Sequence, residues 1–217
     1  MKCFTPILAT FFLFILFQIN HGFSQAGDQN LKFGRIPQED LEMSVYALDS
    51  SAEAVVLDDV GEMFFFSKGD DIAYKFNRHV RIKILTEAGY DQAEQQIDFY
   101  SYKRIETVSG LKAHVVNPDG SISKLNKNNI FEEKINDYWE SIRLTFPNIQ
   151  PGSILEYSYT LESKRFTTPR DWTFQRKIPV RYSQIYFDPG EFFDFLVYLQ
   201  GVFRLPELCI KLCFCLL

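Results

Sequence analysis

The sequence predicts a mostly β protein, an antiparallel β-sandwich preceded by one N-terminal helix. Three observations carry this reading. Polarity alternates with a period of two from Ala54 onward, turn signatures built on Pro and Gly recur between the alternating runs, and only Pro37–Leu48 has helical spacing. The 217 residues are 46% hydrophobic and 24% charged, which excludes a disordered or collagen-like chain. With 28 acidic against 23 basic side chains the net charge is −5, so no nucleic-acid partner is expected.

Residues 1–24 read as a secretory signal peptide. Lys2 precedes an uncharged run from Ile7 to Ile19, about 13 residues against the roughly 20 that span a bilayer. Small residues at Ser24 and Ala26 then offer a cleavage site. Cleavage there implies an exported chain, periplasmic or at the cell surface, without a membrane span; an uncleaved anchor is the alternative. Cys3 precedes the apolar run, so lipid attachment is not indicated. The mature chain keeps Cys209, Cys213 and Cys215, an odd cluster that supports neither a disulfide framework nor a zinc site. No metal or cofactor is expected. About 190 residues can bury roughly 70% of their unfolded surface, enough to fold without staples.

The helix is read from Pro37 to Leu48. Pro37 suits a first turn, Glu39 and Asp40 suit the positive end of the helix dipole, and Leu41, Val45 and Leu48 make one apolar stripe that would dock on a sheet. Asp49, Ser50 and Ser51 end it. From Ile72 to Ile84, one face carries Ile72, Tyr74, Phe76, Arg78, Val80, Ile82 and Ile84 toward a core. The other carries Ala73, Lys75, Asn77, His79, Arg81 and Lys83 toward water. By the same test Leu111, Ala113 and Val115 point inward with Lys112 and His114 outward, and Leu155, Tyr157, Tyr159 and Leu161 point inward.

Two turns order the strands. Asn117-Pro118-Asp119-Gly120 has the type I preference, so the strand ending near Val116 hairpins into Ser121–Lys124. Gln150-Pro151-Gly152-Ser153 has the type II preference, with glycine where φ must be positive. It predicts that Ile142, Leu144 and Phe146 pair back against Leu155, Tyr157 and Tyr159. Half-polar strands joined by hairpins imply antiparallel sheets, and this many imply a sandwich.

Several segments together resemble a known family. They are Ala52-Glu53-Ala54-Val55-Val56-Leu57, Val115-Val116-Asn117-Pro118-Asp119-Gly120, Trp172-Thr173-Phe174-Gln175 with Ile178-Pro179-Val180, and, most specifically, Phe146-Pro147-Asn148 running into Pro151-Gly152-Ser153-Ile154-Leu155-Glu156-Tyr157. They are similar to the bacterial domain of unknown function numbered 3857. The resemblance covers Ile36 to Leu199 and places one domain over residues 36–200. It implies a β-sandwich accessory module that commonly precedes a transglutaminase-like domain in exported proteins, especially of Bacteroidetes, and it brings no catalytic residues. A transglutaminase-like partner domain is therefore expected in a full-length parent. Residues 201–217 depart from the family pattern: the composition turns Cys- and Leu-rich, with Pro206 breaking any helix and Arg204, Glu207 and Lys211 interrupting any span. A truncated or out-of-frame terminus is the first reading of this tail; a natural short tail and a membrane-associated segment are the others.

No catalytic constellation is read from the residues, so this fragment is expected not to be an enzyme. His79 lies beside Arg78 and Arg81, and His114 shares its face with Lys112, so both are read as solvated strand-face histidines. Asp58-Asp59, Asp70-Asp71 and Glu132-Glu133 are read as solvated neighbours, and Cys209 lacks a nearby base. Among the aromatic residues, Trp139 and Trp172 are the candidate binding surface for a glycan or peptide, Trp139 being the stronger because its parity opposes that of Ile142 and Leu144. Tyr182 and Tyr186 share parity with Ile178 and Val180 and are read as core. Two functions follow: a non-catalytic module beside a transglutaminase-like domain, or a free-standing glycan- or peptide-binding domain.

Overall fold

The computed structural model describes residues 31–193. The signal segment, the tail and all four cysteines lie outside the described residues. Helix α1 is only Gln38–Glu42, and the backbone is extended again at Met43, with ψ at 118°. The longer helix read from the sequence is thus corrected. A single turn without a side-chain cap gains little from local hydrogen bonds, and the chain turns at Tyr46–Asp49 instead. Leu41 packs against a small cluster of Val55, Leu57 and Ile154. Val45 and Leu48 are 56% and 67% exposed, and Tyr46 is buried in their place.

Strands β1 (Ala54–Lys68) and β2 (Asp71–Ile84) form a long antiparallel hairpin. β3 (Glu94–Tyr100), β4 (Glu106–Val116), β5 (Ile122–Lys124), β6 (Ile130–Lys134), β7 (Trp139–Thr145), β8 (Ile154–Ser163) and β9 (Ser183–Asp188) follow. One sheet has the order β5-β4-β8-β2-β1-β9 and the other β3-β7-β6. Every pairing is antiparallel except β1 with β9. The alternation along β2 and β8 sends Tyr74, Phe76, Val80, Ile82, Leu155, Tyr157, Tyr159 and Leu161 into a core shared with Ile97, Ile142 and Leu144 of the smaller sheet. This is the sandwich expected from the sequence.

The turn at Asn117–Gly120 closes the β4–β5 hairpin as read, with Val116 opposite Ile122. Gly152 has φ 91°, and Ser153 N donates to Gln150 O at 2.9 Å. The pairing inferred from that turn is overturned, however. β7 pairs with β3 and β6, whereas β8 pairs with β2 and β4. Residues 147–151 carry the chain from one sheet to the other, so Phe146 and Tyr157 meet across the core, their rings tilted and 6.2 Å apart. Alternation requires only that each strand bury one face, and stacking satisfies it as well as lateral pairing does. At the other end, Ile185 and Phe187 of β9 pack on the core. They have the opposite parity to Tyr182 and Tyr186, which correct the core assignment made for those two tyrosines.

Candidate functional site

The outer face of the larger sheet is not solvated where the N-terminal segment crosses it. Glu156 on β8 is fully buried there. His79 Nε2 lies 2.8 Å from its Oε1 and His114 Nε2 lies 2.6 Å from its Oε2. Arg81 Nε and the Gly34 backbone N–H add donations of 2.8 Å each. Burial alone pushes the Glu156 carboxyl upward, but the two histidine bonds, the Arg81 charge and the Gly34 N–H outweigh it and hold the group well below the usual carboxylate range. Because an ionised carboxylate only accepts, both Nε2 atoms carry their proton. Arg81 also donates to the carbonyls of Lys32 and Arg35 at 2.9 and 2.8 Å, and Phe33 covers both imidazoles.

The solvated reading of His79 and His114 is therefore corrected. Arg81 and Lys83, their cationic neighbours on the same strand face, are buried too. Residues 31–52 form a cover that the alternation within one strand does not register. Chemically the cluster is closed: four donors occupy the two oxygens of Glu156, leaving no lone pair for a metal ion. Among the described residues no group of three His, Cys, Asp or Glu side chains is arranged to hold a metal. A hollow of about 500 Å³ opens beside His114, lined in part by Leu111, Ile122 and Leu125, but the imidazole Nε2 is already committed to Glu156.

Asp58 and Asp59 also correct their solvated reading. A register shift between Val56 and Asp58 is followed by Asp58 opposite Arg81 and Asp59 opposite Val80, on opposite faces. Both are buried. Asp59 accepts both arms of Arg78 at 2.8 and 2.7 Å and a further bond from Arg176. Asp58 lies 3.7 Å from Arg81 and 3.8 Å from Arg181; burial raises its pKa while these two cations oppose the shift. Arg181 also binds Asp40. The N-terminal segment and the connection from β8 to β9 are thus fastened to β1 by ion pairs. Asp70, Asp71, Glu132 and Glu133 are exposed, as read.

The two tryptophans part company. Trp172 is a packing residue of that connection. It lies against Phe76 and the Arg78 guanidinium, its Nε1 donates to Ser183 Oγ at 3.1 Å, and a methyl group added to Gly61 would fall 2.5 Å from its ring. Trp139 belongs to a surface cluster at one end of the smaller sheet. Its ring meets Tyr100 edge-on at 5.5 Å, Tyr100 stacks with Tyr138 at 6.1 Å, and Tyr138 meets Tyr102 at 5.3 Å. Tyr102 and Tyr138 are 41% and 51% exposed. The Arg165 guanidinium lies over Tyr100 at 4.9 Å and Trp139 at 5.7 Å, and Lys103 Nζ lies 5.2 Å over Tyr102.

Backbone bonds hold this cluster. The N–H groups of Ser101 and Tyr102 donate to Tyr138 O, and those of Tyr138 and Trp139 donate to Asn136 Oδ1. Lys103 and Arg104 stand at φ 52° and 55°, a left-handed conformation rare outside glycine. Sequence reasoning missed Tyr100, Tyr102 and Arg165. The aromatic-cationic run Tyr100-Ser101-Tyr102-Lys103-Arg104 was the available signal, whereas Arg165 comes from a connection with no periodicity.

Fold and site together define a two-sheet β module in which, among the described residues, the buried carboxylates Asp40, Asp58, Asp59, Glu106 and Glu156 each face an arginine, with an aromatic patch at one end. The family model for DUF3857, a domain of unknown function with a solved structure, matches residues 70–191, and the chain belongs to this family. A crystal structure of a "putative protease" from Parabacteroides distasonis is similar at a TM-score of 0.45 and 12% identity, covering 51% of this chain and 23% of that one. The CBM3a-L domain of scaffoldin cipA from the Clostridium thermocellum cellulosome is similar at a TM-score of 0.30 and 14% identity, covering 52% of this chain and 69% of that one. No curated protein matches the sequence.

Proposed function

We propose that this chain is a non-catalytic, extracytoplasmic β-sandwich module that accompanies a transglutaminase-like domain. The observation that carries the reading is the closure around Glu156. Nucleophilic catalysis needs a histidine that faces a nucleophile and is oriented by a carboxylate. Here the carboxylate takes both histidines and an arginine at once, under a cover of chain, which is the arrangement of a structural clasp. Membership of DUF3857 supports the accessory role, and the short apolar run before Ser24 supports export.

The test is an assay of the purified chain for amine incorporation and peptide hydrolysis, with His79→Ala and His114→Ala beside it. All three should match buffer; turnover lost in either variant would overturn the reading. Sequencing the DNA downstream of the codon for Leu217 addresses the partner: a domain with a Cys, His and Asp constellation in any frame supports it, and its absence counts against it. Mass spectrometry of the secreted product should give an N-terminus at or near Gln25, and retention of Met1 in the membrane fraction would refute export.

A second reading, a ligand-binding module, is favoured by one observation, the exposed aromatic rings around Trp139.

A further inference from the structure

The Arg165 guanidinium is pinned between two aromatic faces, and among the described residues it has no oxygen partner. Elsewhere the arginines that line the larger sheet, Arg78, Arg81, Arg176 and Arg181, each engage a carboxylate. Arg165 instead holds a planar fork of donors over Tyr100 and Trp139, and Tyr100 in turn contacts the exposed rings of Tyr102 and Tyr138. From this we propose that the patch formed by Tyr100, Tyr102, Lys103, Tyr138, Trp139 and Arg165 binds an acidic polysaccharide, one whose sugar rings carry carboxylates.

Charge and hydrogen bonding select that class. Lys103 and Arg165 flank the rings, and the acids beside the patch are engaged: buried Glu106 accepts from the Tyr100 N–H at 2.8 Å and faces Arg170 at 3.4 Å, and Asp137 is paired with Lys134 at 2.8 Å. A guanidinium fork matches a carboxylate in two parallel bonds. Exposed tyrosine rings offer flat apolar surface to the C–H face of a sugar and a hydroxyl at the rim for its alcohols. An extended peptide would draw its affinity from main-chain hydrogen bonds. The loops under this patch spend their own N–H groups internally, those of Ser101, Tyr102, Tyr138 and Trp139 among them. What remains for a ligand is ring faces, hydroxyls and cations. The bonds from Ser101 and Tyr102 N–H to Tyr138 O hold the first aromatic loop against the second, with Lys103 and Arg104 in the left-handed conformation.

This inference rests on the binding reading and narrows its ligand. The experiment is affinity electrophoresis and calorimetry of the purified chain with oligogalacturonate, with a neutral cello-oligosaccharide and polyglutamate as comparison probes. Oligogalacturonate should bind best and weaken as salt is raised. Arg165→Gln and Tyr138→Ala should each weaken it by about tenfold while melting as the wild type does, and Trp172→Phe should leave it unchanged. Equal binding of the neutral oligosaccharide or of polyglutamate would overturn the acidic-sugar assignment and leave the binding reading standing. Failure of the folded chain to bind any of the three probes would overturn both. Unchanged oligogalacturonate affinity in both patch variants would place the site elsewhere and overturn the inference.

Discussion

His79 and His114 stand on strands that share no edge, since β8 runs between β2 and β4, yet each hydrogen-bonds one oxygen of Glu156, at 2.8 and 2.6 Å. The carboxylate thereby ties three adjacent strands across their outer face, and through Arg81 and Gly34 it ties the N-terminal segment to them. Glu156→Gln keeps the size and removes the charge that Arg81 faces. It should destabilise the domain by about 3–5 kcal/mol in urea melts, the range for breaking a buried ion pair from one side. A loss under 1 kcal/mol would show that the cluster contributes little.

Glu156 also sets an acid limb. Its folded pKa lies below the ordinary 4.5, so its contribution is fully present above that value and is lost as pH falls through the folded one. Stability measured from pH 6 downward should begin to drop near 4.5, and the Glu156→Gln variant should show a shallower drop. Parallel curves would contradict the assignment.

Lys83 gives a slope of the same sign in the alkaline range. Its buried ammonium donates to Leu41 O at 2.9 Å and to Gly152 O at 2.7 Å. Burial pulls its pKa down to about 8, against a smaller upward pull from Asp40. Between pH 8 and the ordinary 10.5, the unfolded chain binds more protons at this site than the folded one does, so this term makes stability rise with pH across that window. Lys83→Met should lose this rise, and an identical alkaline slope in both proteins would refute the account.

Gly152 and Gly120 separate two costs of substitution. Both have positive φ, 91° and 81°. A Cβ on Gly152 would sit 2.6 Å from Pro118 Cγ, whereas one on Gly120 meets nothing within 4 Å. Gly120→Ala should cost about 1 kcal/mol from conformation alone, and Gly152→Ala about 1–3 kcal/mol because the neighbouring turn must also shift. Thermal melts should rank them in that order; the reverse order would show that the two turns do not press on each other.

The legible parts of this molecule are those governed by one strand at a time. The inward faces of Ile72–Ile84 and Leu155–Leu161, the β4–β5 hairpin and the backbone of Gly152 follow from alternation and turn chemistry alone. The partner of a strand is another matter. Ile142 and Leu144 carry the same periodic signal whether Leu155 and Tyr157 lie beside them or opposite them. The burial of His79, Arg81 and His114 depends on a cover supplied from residues 31–52, far away in sequence, and short-range charge patterns read that surface as wet. The aromatic patch was half legible: Trp139 stands out by parity, whereas Arg165 reaches it by tertiary placement.

The parallel ladder between β1 and β9 gives the module a mechanical character. Six successive residues, Asp59 to Phe64, run alongside Ser183 to Asp188 in the same direction. Tension applied between residue 31 and residue 193 draws β1 toward its start and β9 toward its end, so the strands must slide past one another. Their hydrogen bonds are then loaded together, whereas the β1–β2 hairpin can open one rung at a time. Pulled from its two ends in a single-molecule force experiment, the domain should resist as a shear clamp and yield in one high-force step. A tether attached at residues 54 and 84, the open end of the β1–β2 hairpin, should open at lower force, and equal forces in the two geometries would remove β9 as the clamp.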